Sequence, residues 1–192
     1  MVEAQNKLST GRTRINVVRV FIVLLILGLV AVPATSGLKG CGGASNANMQ
    51  YLKIGDKAFF LEVAADEPTR MKGLGQRDHI EANGGMLFVF ANPVDTAFVM
   101  RDCPIDIDII FVDPTGRITA MHQMKAEAPR GEGEGKSGDF SNQTYENRLK
   151  KYPSRYPAQF VVELKGGTIP SLTVKEGDKL DLPLAALKSR AK

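Results

Sequence analysis

Short apolar runs, separated by glycine, proline and small polar residues, recur from residue 49 onwards and predict β-strands. The clearest alternation covers residues 105–112, where Ile105, Ile107, Ile109 and Phe111 would share one face of a strand. Similar runs predict further strands at 51–54, 57–63, 86–90, 96–100, 117–123, 159–165, 172–174 and 179–182.

Turn and cap signals connect these strands. Residues 55–56 and 113–116 have the composition of hairpin turns. Asp66 is a helix N-cap residue, Pro68 suits the first turn of a helix, and a glycine at 73 or 75 would end it. If about seven or eight of these nine runs form strands, they and one short helix predict a mainly β fold, a single β-sandwich or open barrel of antiparallel strands. We expect this domain to span residues 49–185.

The segment 125–157 interrupts the strand pattern and is rich in glycine, glutamate, lysine, serine and asparagine. Such a composition predicts a long surface excursion, within which residues 145–151 are a candidate short helix. The last residues, 186–192, form a basic tail in this interpretation.

The N-terminal segment has a different pattern. Four basic residues, at positions 7, 12, 14 and 19, precede a continuous apolar stretch over 20–34, and small residues follow it. This order is typical of a signal peptide, so we assign residues 1–40 as a signal peptide or membrane anchor. A retained anchor is the alternative, although a span needs about 20 apolar residues. A buried core helix is disfavoured, because the stretch has no polar face.

Residues 38–41, with the sequence Leu-Lys-Gly-Cys, resemble a bacterial lipobox, in which Cys41 would carry a lipid and become the new N-terminus. Lys39 departs from the usual small or apolar residue. Cleavage near residue 34 or 36 is the alternative, and a disulfide between Cys41 and Cys103 is a further one in an oxidising compartment. Residues 41–48 are small and polar and predict a flexible tether.

Charge supports the division of the chain at Cys41. Five of the 25 basic residues and one of the 21 acidic residues precede Cys41, which leaves 20 of each sign in the rest. The high isoelectric point, about 9.1, therefore comes largely from the leader. It gives no reason to expect nucleic-acid binding.

Several segments, in this order along the chain, resemble the bacterial and archaeal domain of unknown function 192 family. They are residues 70–74 with Arg77, then 85–90, 98–111, 156–164 and 177–178. The resemblance covers about residues 51–182 and implies a mainly β, sandwich-like domain that is often exported and has no assigned activity. In the family, residues 98–103 follow the pattern Phe-Trp-Met-Lys-Asn-Thr, and a proline is usual at position 106. This chain departs from the family at both places. The departing residues are Val99, Arg101, Asp102, Cys103 and Asp106.

Three carboxylates at Asp102, Asp106 and Asp108 are the most suggestive candidates for chemistry. Converging carboxylates can hold a hard cation, which makes Asp106 and Asp108 weak candidates for metal ligands. Pairing with arginines is the alternative that we favour. If the cluster is a binding surface, its residues are Arg70, Arg77, Arg101, Asp102 and Asp108.

Other catalytic signals are weak. His79 and His122 lie on separate segments without metal-ligand spacing, and the chain carries neither a phosphate-binding loop nor a dinucleotide fingerprint. We therefore predict no catalytic residue and no cofactor.

The sequence favours an exported, membrane-tethered accessory or ligand-binding domain of the cell envelope, facing the periplasm or the exterior. Its partners would be the membrane, through the leader or a lipid on Cys41, and a small molecule or an envelope protein, but no nucleic acid. The alternative is a small carboxylate- or metal-dependent hydrolase or transferase that uses Asp102, Asp106 and Asp108.

Overall fold

A computed structural model describes residues 48–192 of the protein. The predictions for the leader over 1–40, for Cys41 and for nearly all of the tether lie outside these residues. No helix within residues 48–192 has the length and apolar character needed to cross a membrane.

Eight strands and three short α-helices form this part of the chain. In chain order they are β1 Met49–Ile54, β2 Lys57–Ala64, α1 Glu67–Lys72, β3 Gly85–Val94, β4 Ala97–Phe98, β5 Ile107–Val112, β6 Ile118–Met124, α2 Gln143–Arg148, β7 Tyr152–Pro153, β8 Ala158–Lys165 and α3 Leu184–Lys188. The predicted mainly β fold is confirmed. The helix α2 overlaps the candidate helix at 145–151, whereas α3 was not predicted, and a 3-10 turn at Ile169–Ser171 follows β8.

Six strands form one mixed sheet in the order β1-β2-β3-β8-β5-β6, and β4 pairs with β7 in a separate two-stranded sheet. The prediction of antiparallel strands throughout is wrong for β2 and β3, which are parallel. The chain reaches β3 from β2 through α1 and a loop, and such a crossover returns the strand in the same direction. Among the described strands, β1 and β6 are the open edges of the sheet, so it does not close into a barrel.

The predicted closing strands at 172–174 and 179–182 do not form. This region holds the 3-10 turn and a single bridge between Arg117 and Lys179. The pattern also missed β7, which is only two residues long and ends at Pro153. Short pairs of this kind depend on a partner strand rather than on their own sequence.

Both faces of the large sheet are buried. In β5, Ile107, Ile109 and Phe111 enter one apolar cluster, and Ile110 and Val112 enter the other, as the alternation predicted. The first cluster also contains residues of the loops after α1 and β4, and the second is covered by the C-terminal segment, including Leu187 of α3. Residues 186–192, assigned to a basic tail, therefore pack on the domain.

The helix α1 forms as its cap signals predicted. The Asp66 carboxylate accepts hydrogen bonds from the backbone N–H and the hydroxyl of Thr69, at 2.9 and 2.7 Å. The helix ends at Gly73, whose φ of 51° is in the left-handed region that favours glycine. This turn carries the chain back over β8, where the candidate site lies.

Candidate functional site

A cavity of about 320 Å³ opens between the loop after β4 and the excursion that follows β6. We call it the main cavity, to distinguish it from a smaller space that adjoins it. Its apolar wall comes from five residues, Met100, Pro104, Ala128, Pro129 and Tyr145. Its polar lining includes Gln76, Asp102, Glu127, Arg130 and Ser137, and the thiol residue Cys103 completes it. The volume and the mixture of apolar walls with few polar groups are typical of small-molecule sites.

A smaller space of about 60 Å³ adjoins the main cavity, because Gln76, Asp102 and Cys103 line both. Glu163 of β8 lies on its wall, so we call it the Glu163 chamber. Residues 71–75 and the segment 99–103 form most of the rest. Met71 and Phe140, which also line the chamber, are 42% and 41% exposed.

Glu163 is a buried acid in a strand that is otherwise apolar around it. It is 5% exposed, and it pairs in register with Met86 of β3 on one side and Ile109 of β5 on the other. The backbone N–H of Leu74 donates to its carboxyl group. Its Oε2 atom is buried and has no hydrogen-bond partner among residues 48–192. Most buried polar groups in folded proteins are satisfied, so this atom calls for an explanation.

Burial raises the pKa of Glu163 from 4.5 to about 8, and the hydrogen bond from Leu74 and the charge of Arg77 oppose this only in part. Near pH 7 the carboxyl group is therefore mainly protonated. It can act as a hydrogen-bond donor, which an ionised carboxylate cannot.

Cys103 lies beside this acid as a buried free thiol. Burial raises its pKa to about 12, and the charges of Glu163 and Asp102 contribute in the same direction. Its Sγ donates to the backbone carbonyl of Arg101 at 3.3 Å. The thiolate is the reactive form of cysteine, so this thiol is chemically quiet at neutral pH. Its predicted alternative partner, Cys41, lies outside the described residues.

Asp102 joins the loop after β4 to the excursion. Arg130 donates to both of its carboxylate oxygens, and the backbone N–H of Gly138 donates to Oδ2 at 2.9 Å. The Tyr145 hydroxyl accepts a hydrogen bond from the backbone N–H of Asp102 at 2.8 Å. These bonds outweigh burial and lower the pKa of Asp102. Asp102 is thus an ionised residue that holds the wall of the cavity in place.

Arg101, in the same loop, makes a second ion pair to the excursion. Its guanidinium donates to both carboxylate oxygens of Glu146 at 2.6 Å, and it lies 5.1 Å from the centre of the Phe140 ring. These hydrogen bonds to the Glu146 carboxylate raise the pKa of Arg101. The excursion, which the composition assigned to the surface, is thereby held against the domain by two bidentate ion pairs.

The structure brings together two of the five predicted binding residues, Arg101 and Asp102, at the chamber. Arg70 lies elsewhere and donates to the backbone carbonyls of residues 65, 89 and 192. Arg77 forms a bidentate pair with Glu62, at 2.5 and 2.8 Å. Neither Arg70 nor Arg77 lines the main cavity or the chamber.

Asp106 and Asp108 have separate partners. Asp106 accepts from Lys125 Nζ at 2.6 Å and from the backbone N–H of Ala126 at 2.9 Å. Asp108 is 1% exposed and accepts from the backbone N–H of Ile169 at 2.6 Å, at the start of the 3-10 turn. Within residues 48–192, no three His, Cys, Asp or Glu side chains are grouped so that they could hold a metal ion.

Glu163, Arg130 and Tyr145 are the site residues that the sequence interpretation missed. A signal for Glu163 was available, since it is a single acid within the apolar run 160–164 of a predicted strand. Arg130 and Tyr145 lie in the polar excursion and have no comparable signal. Their positions depend on contacts with Asp102, which is distant in sequence.

Comparison with known proteins agrees with the resemblance seen in the sequence. The model of the DUF192 family, described as an uncharacterized ACR, matches residues 50–182, more than half of the chain. The chain belongs to the DUF192 family. A comparison with curated proteins finds no match. Family membership leaves the activity of this DUF192 protein unassigned.

Two solved structures are similar to this DUF192 protein. One, from Sinorhizobium meliloti, is described as a candidate transcription regulator. It is 25% identical, with a TM-score of 0.50, and the match covers 68% of this chain and 89% of that one. The other is a protein of unknown function from Novosphingobium aromaticivorans. It is 23% identical, with a TM-score of 0.53 and coverage of 70% and 85%, and it supports the fold alone.

Proposed function

We propose that this DUF192 protein is an exported, membrane-tethered and non-enzymatic domain of the cell envelope that binds a small molecule in the main cavity. The observation that carries the ligand-binding part is the cavity of about 320 Å³ itself, with its apolar wall and few polar groups. Its walls are preorganised, because the ion pairs Arg130–Asp102 and Arg101–Glu146 hold the excursion in place.

Binding is favoured over catalysis by the state of the groups in the site. Cys103 is a protonated thiol, and Asp102 is saturated by an arginine and a backbone N–H. The alternative enzyme needs Asp102, Asp106 and Asp108 to act together. Each of these carboxylates has its own partners instead.

The regulator description of the Sinorhizobium structure suggests a different partner, nucleic acid. Residues 48–192 carry 20 basic and 20 acidic side chains, whereas nucleic-acid binding relies on an excess of positive charge. We therefore propose a small-molecule partner and no nucleic-acid partner.

Ligand binding can be tested on the full chain in detergent solution with three probes that share a six-carbon apolar body: hexanamide, hexanoate and hexylamine. We expect at least one of them to bind at millimolar concentration in ligand-observed NMR. The substitution Ala128→Trp should abolish binding, because Ala128 is an exposed residue of the cavity wall. Ala186→Trp is the matched control, an exposed alanine of α3 that lines neither space.

The behaviour of the two tryptophan variants decides whether the main cavity is a ligand site. Binding that Ala128→Trp abolishes and Ala186→Trp preserves supports a ligand site in the main cavity. If none of the three probes binds, or if both tryptophan variants bind like the wild type, the main cavity is not the site.

The location is tested separately. Metabolic labelling with a palmitate analogue should mark the wild-type chain and not a Cys41→Ser variant, as the lipobox-like residues 38–41 predict. An unlabelled wild-type chain whose new N-terminus lies near residue 34 or 36 would instead show ordinary cleavage. A chain that keeps Met1 and stays in the cytoplasm would refute export.

A further inference from the structure

Glu163 is a buried polar group of the chamber that neither the fold nor the proposed function explains. Three arginines near it have matched carboxylates, in the pairs Arg77–Glu62, Arg101–Glu146 and Arg130–Asp102, and the side chain of Lys72 is exposed to solvent. By contrast, Glu163 Oε2 is without a partner in the described part of the chain, although its residue is 5% exposed. Leaving a buried polar group unsatisfied costs about 1–3 kcal/mol.

We propose that Glu163 is the polar anchor of a ligand that extends from the main cavity into the Glu163 chamber. The ligand class is an uncharged molecule with an apolar body and a terminal oxygen that accepts a hydrogen bond, such as an amide carbonyl. This inference rests on the proposed function, because it takes the main cavity as the seat of the ligand body.

The hydrogen bonds of the carboxyl group define what the ligand must offer. Leu74 donates its backbone N–H to the carboxyl group, and Oε2 has no partner within residues 48–192. We therefore place the proton of the neutral acid on Oε2, where a ligand acceptor can meet it. An O–H group at this position requires an acceptor.

The surrounding charges favour an uncharged head group. An anion would have to rely on Lys72, which is exposed to solvent, because Arg101 and Arg130 already make bidentate pairs. A cation would need Glu163 to ionise in a buried position, which burial disfavours. A carbonyl oxygen accepts a hydrogen bond from the O–H group of the neutral Glu163. It needs neither a nearby cation nor an ionised Glu163.

The volumes of the two spaces and their apolar lining also favour a ligand with an apolar body and a small uncharged head group. The chamber, at about 60 Å³, holds only a few heavy atoms, whereas the main cavity has room for an apolar body. The two spaces share Cys103, whose thiol is protonated and compatible with an apolar ligand. The partly exposed Met71 and Phe140 add an apolar border to the chamber.

The pH dependence of binding follows from the groups that face Glu163. They come from α1 and its following loop and from the loop after β4, whereas its sheet neighbours Met86 and Ile109 do not titrate. The facing groups are Lys72, Arg77, Arg101, Asp102 and Cys103. The pKa of Asp102 is lowered and that of Cys103 is raised to about 12. Between about pH 6 and pH 9.5, Glu163 is therefore the group whose proton is lost.

The test compares hexanamide, hexanoate and hexylamine on the full chain at about pH 6 and pH 9.5, with the variants Glu163→Gln and Glu163→Leu. We expect the wild type to bind hexanamide at least about fivefold more tightly than the two charged probes at pH 6, and to lose that preference at pH 9.5. Glu163→Gln keeps an N–H donor and should bind hexanamide equally at both pH values. Glu163→Leu should bind it at least about fivefold more weakly than the wild type at pH 6.

Two results would overturn the role of Glu163 as the ligand anchor and leave the proposed function standing. If Ala128→Trp abolishes binding but Glu163→Leu binds hexanamide like the wild type, the main cavity is a site and Glu163 is not its anchor. A preference for hexylamine that grows towards pH 9.5 would show an ionised Glu163 that binds cations. Absence of binding by all three probes would overturn both proposals. Circular dichroism of each variant controls for folding.

Discussion

Arg130 donates two hydrogen bonds to the carboxylate of Asp102, from Nε at 2.8 Å and from Nη2 at 3.1 Å. The same guanidinium lies 3.7 Å from the centre of the Tyr145 ring and donates to the backbone carbonyls of Glu134 and Asp139. One side chain therefore connects three parts of the excursion to the loop that lines the site. The side chains of Arg130 and Asp102 are 7% and 10% exposed, so water does not replace these bonds easily.

Replacement of Arg130 should destabilise the protein far more than replacement of an exposed arginine. In Arg130→Met, the buried Asp102 carboxylate loses its cation, and we expect a loss of about 3 kcal/mol in the free energy of unfolding by urea. The control is Arg155→Met, because Arg155 pairs with Glu176 at the surface, where the side chains are 51% and 40% exposed. That variant should lie within about 1 kcal/mol of the wild type. Equal effects would show that the buried pair does not hold the excursion.

Glu163 should make the stability of the protein fall as the pH rises. Its pKa is 4.5 in the unfolded chain and about 8 in the folded one, so the folded state binds more protons between these values. The free energy of unfolding therefore decreases across this window, by about 5 kcal/mol in total, and levels off above pH 8.

The matched control for this prediction is Glu163→Gln, which has the same shape and does not titrate. Other buried acids, such as Asp108, contribute to both proteins and cancel in the difference. We expect the stability of the wild type, measured relative to Glu163→Gln by urea unfolding, to fall from about pH 5 to pH 8. Parallel pH profiles would mean that Glu163 keeps an ordinary pKa.

Cys103 should react slowly with thiol reagents in the folded protein. Its pKa of about 12 leaves little thiolate at pH 7.5, and the residue is only 9% exposed. The measurement uses the Cys41→Ser variant, in which Cys103 is the remaining thiol of the two in the chain. Modification by iodoacetamide, followed by mass spectrometry, should be at least about 100-fold slower than for free cysteine and should become fast in urea. Rapid reaction of the folded variant would refute a buried, protonated thiol.

Asp108 should be a structural residue, and its neighbour Asp106 should matter less. The buried Asp108 accepts backbone hydrogen bonds from residues 167–169, and Asp108→Ala leaves these donors without their partner. We expect a loss of about 2 kcal/mol in stability. Asp106→Ala removes an ion pair to Lys125, which is 74% exposed, and should cost at most about 1 kcal/mol. If either variant weakened hexanamide binding without loss of stability, the carboxylates would belong to the ligand site.

The local features of the fold were predictable from sequence because short-range interactions determine them. The cap of α1 depends on Asp66 and Thr69, three residues apart, and the alternation in β5 depends on adjacent residues. The parallel pairing of β2 with β3 was not predictable in this way. It depends on where the loop after α1 docks, and the strand pattern is the same for either direction.

The residue pattern predicted a leader with a cysteine after it, and it identified the family and a mainly β domain with balanced charge. Which side chains meet was visible only in the packed chain. The fold keeps Arg70 and Arg77 out of the lining of both cavities, places Asp102 against Arg130 across 28 positions, and puts Glu163 beside Cys103. A pKa or an ion pair depends on the distance between groups and on the exclusion of water. Both are properties of the packed chain, so Glu163, the lone acid in an apolar strand, could be recognised as a candidate ligand anchor only from the structure.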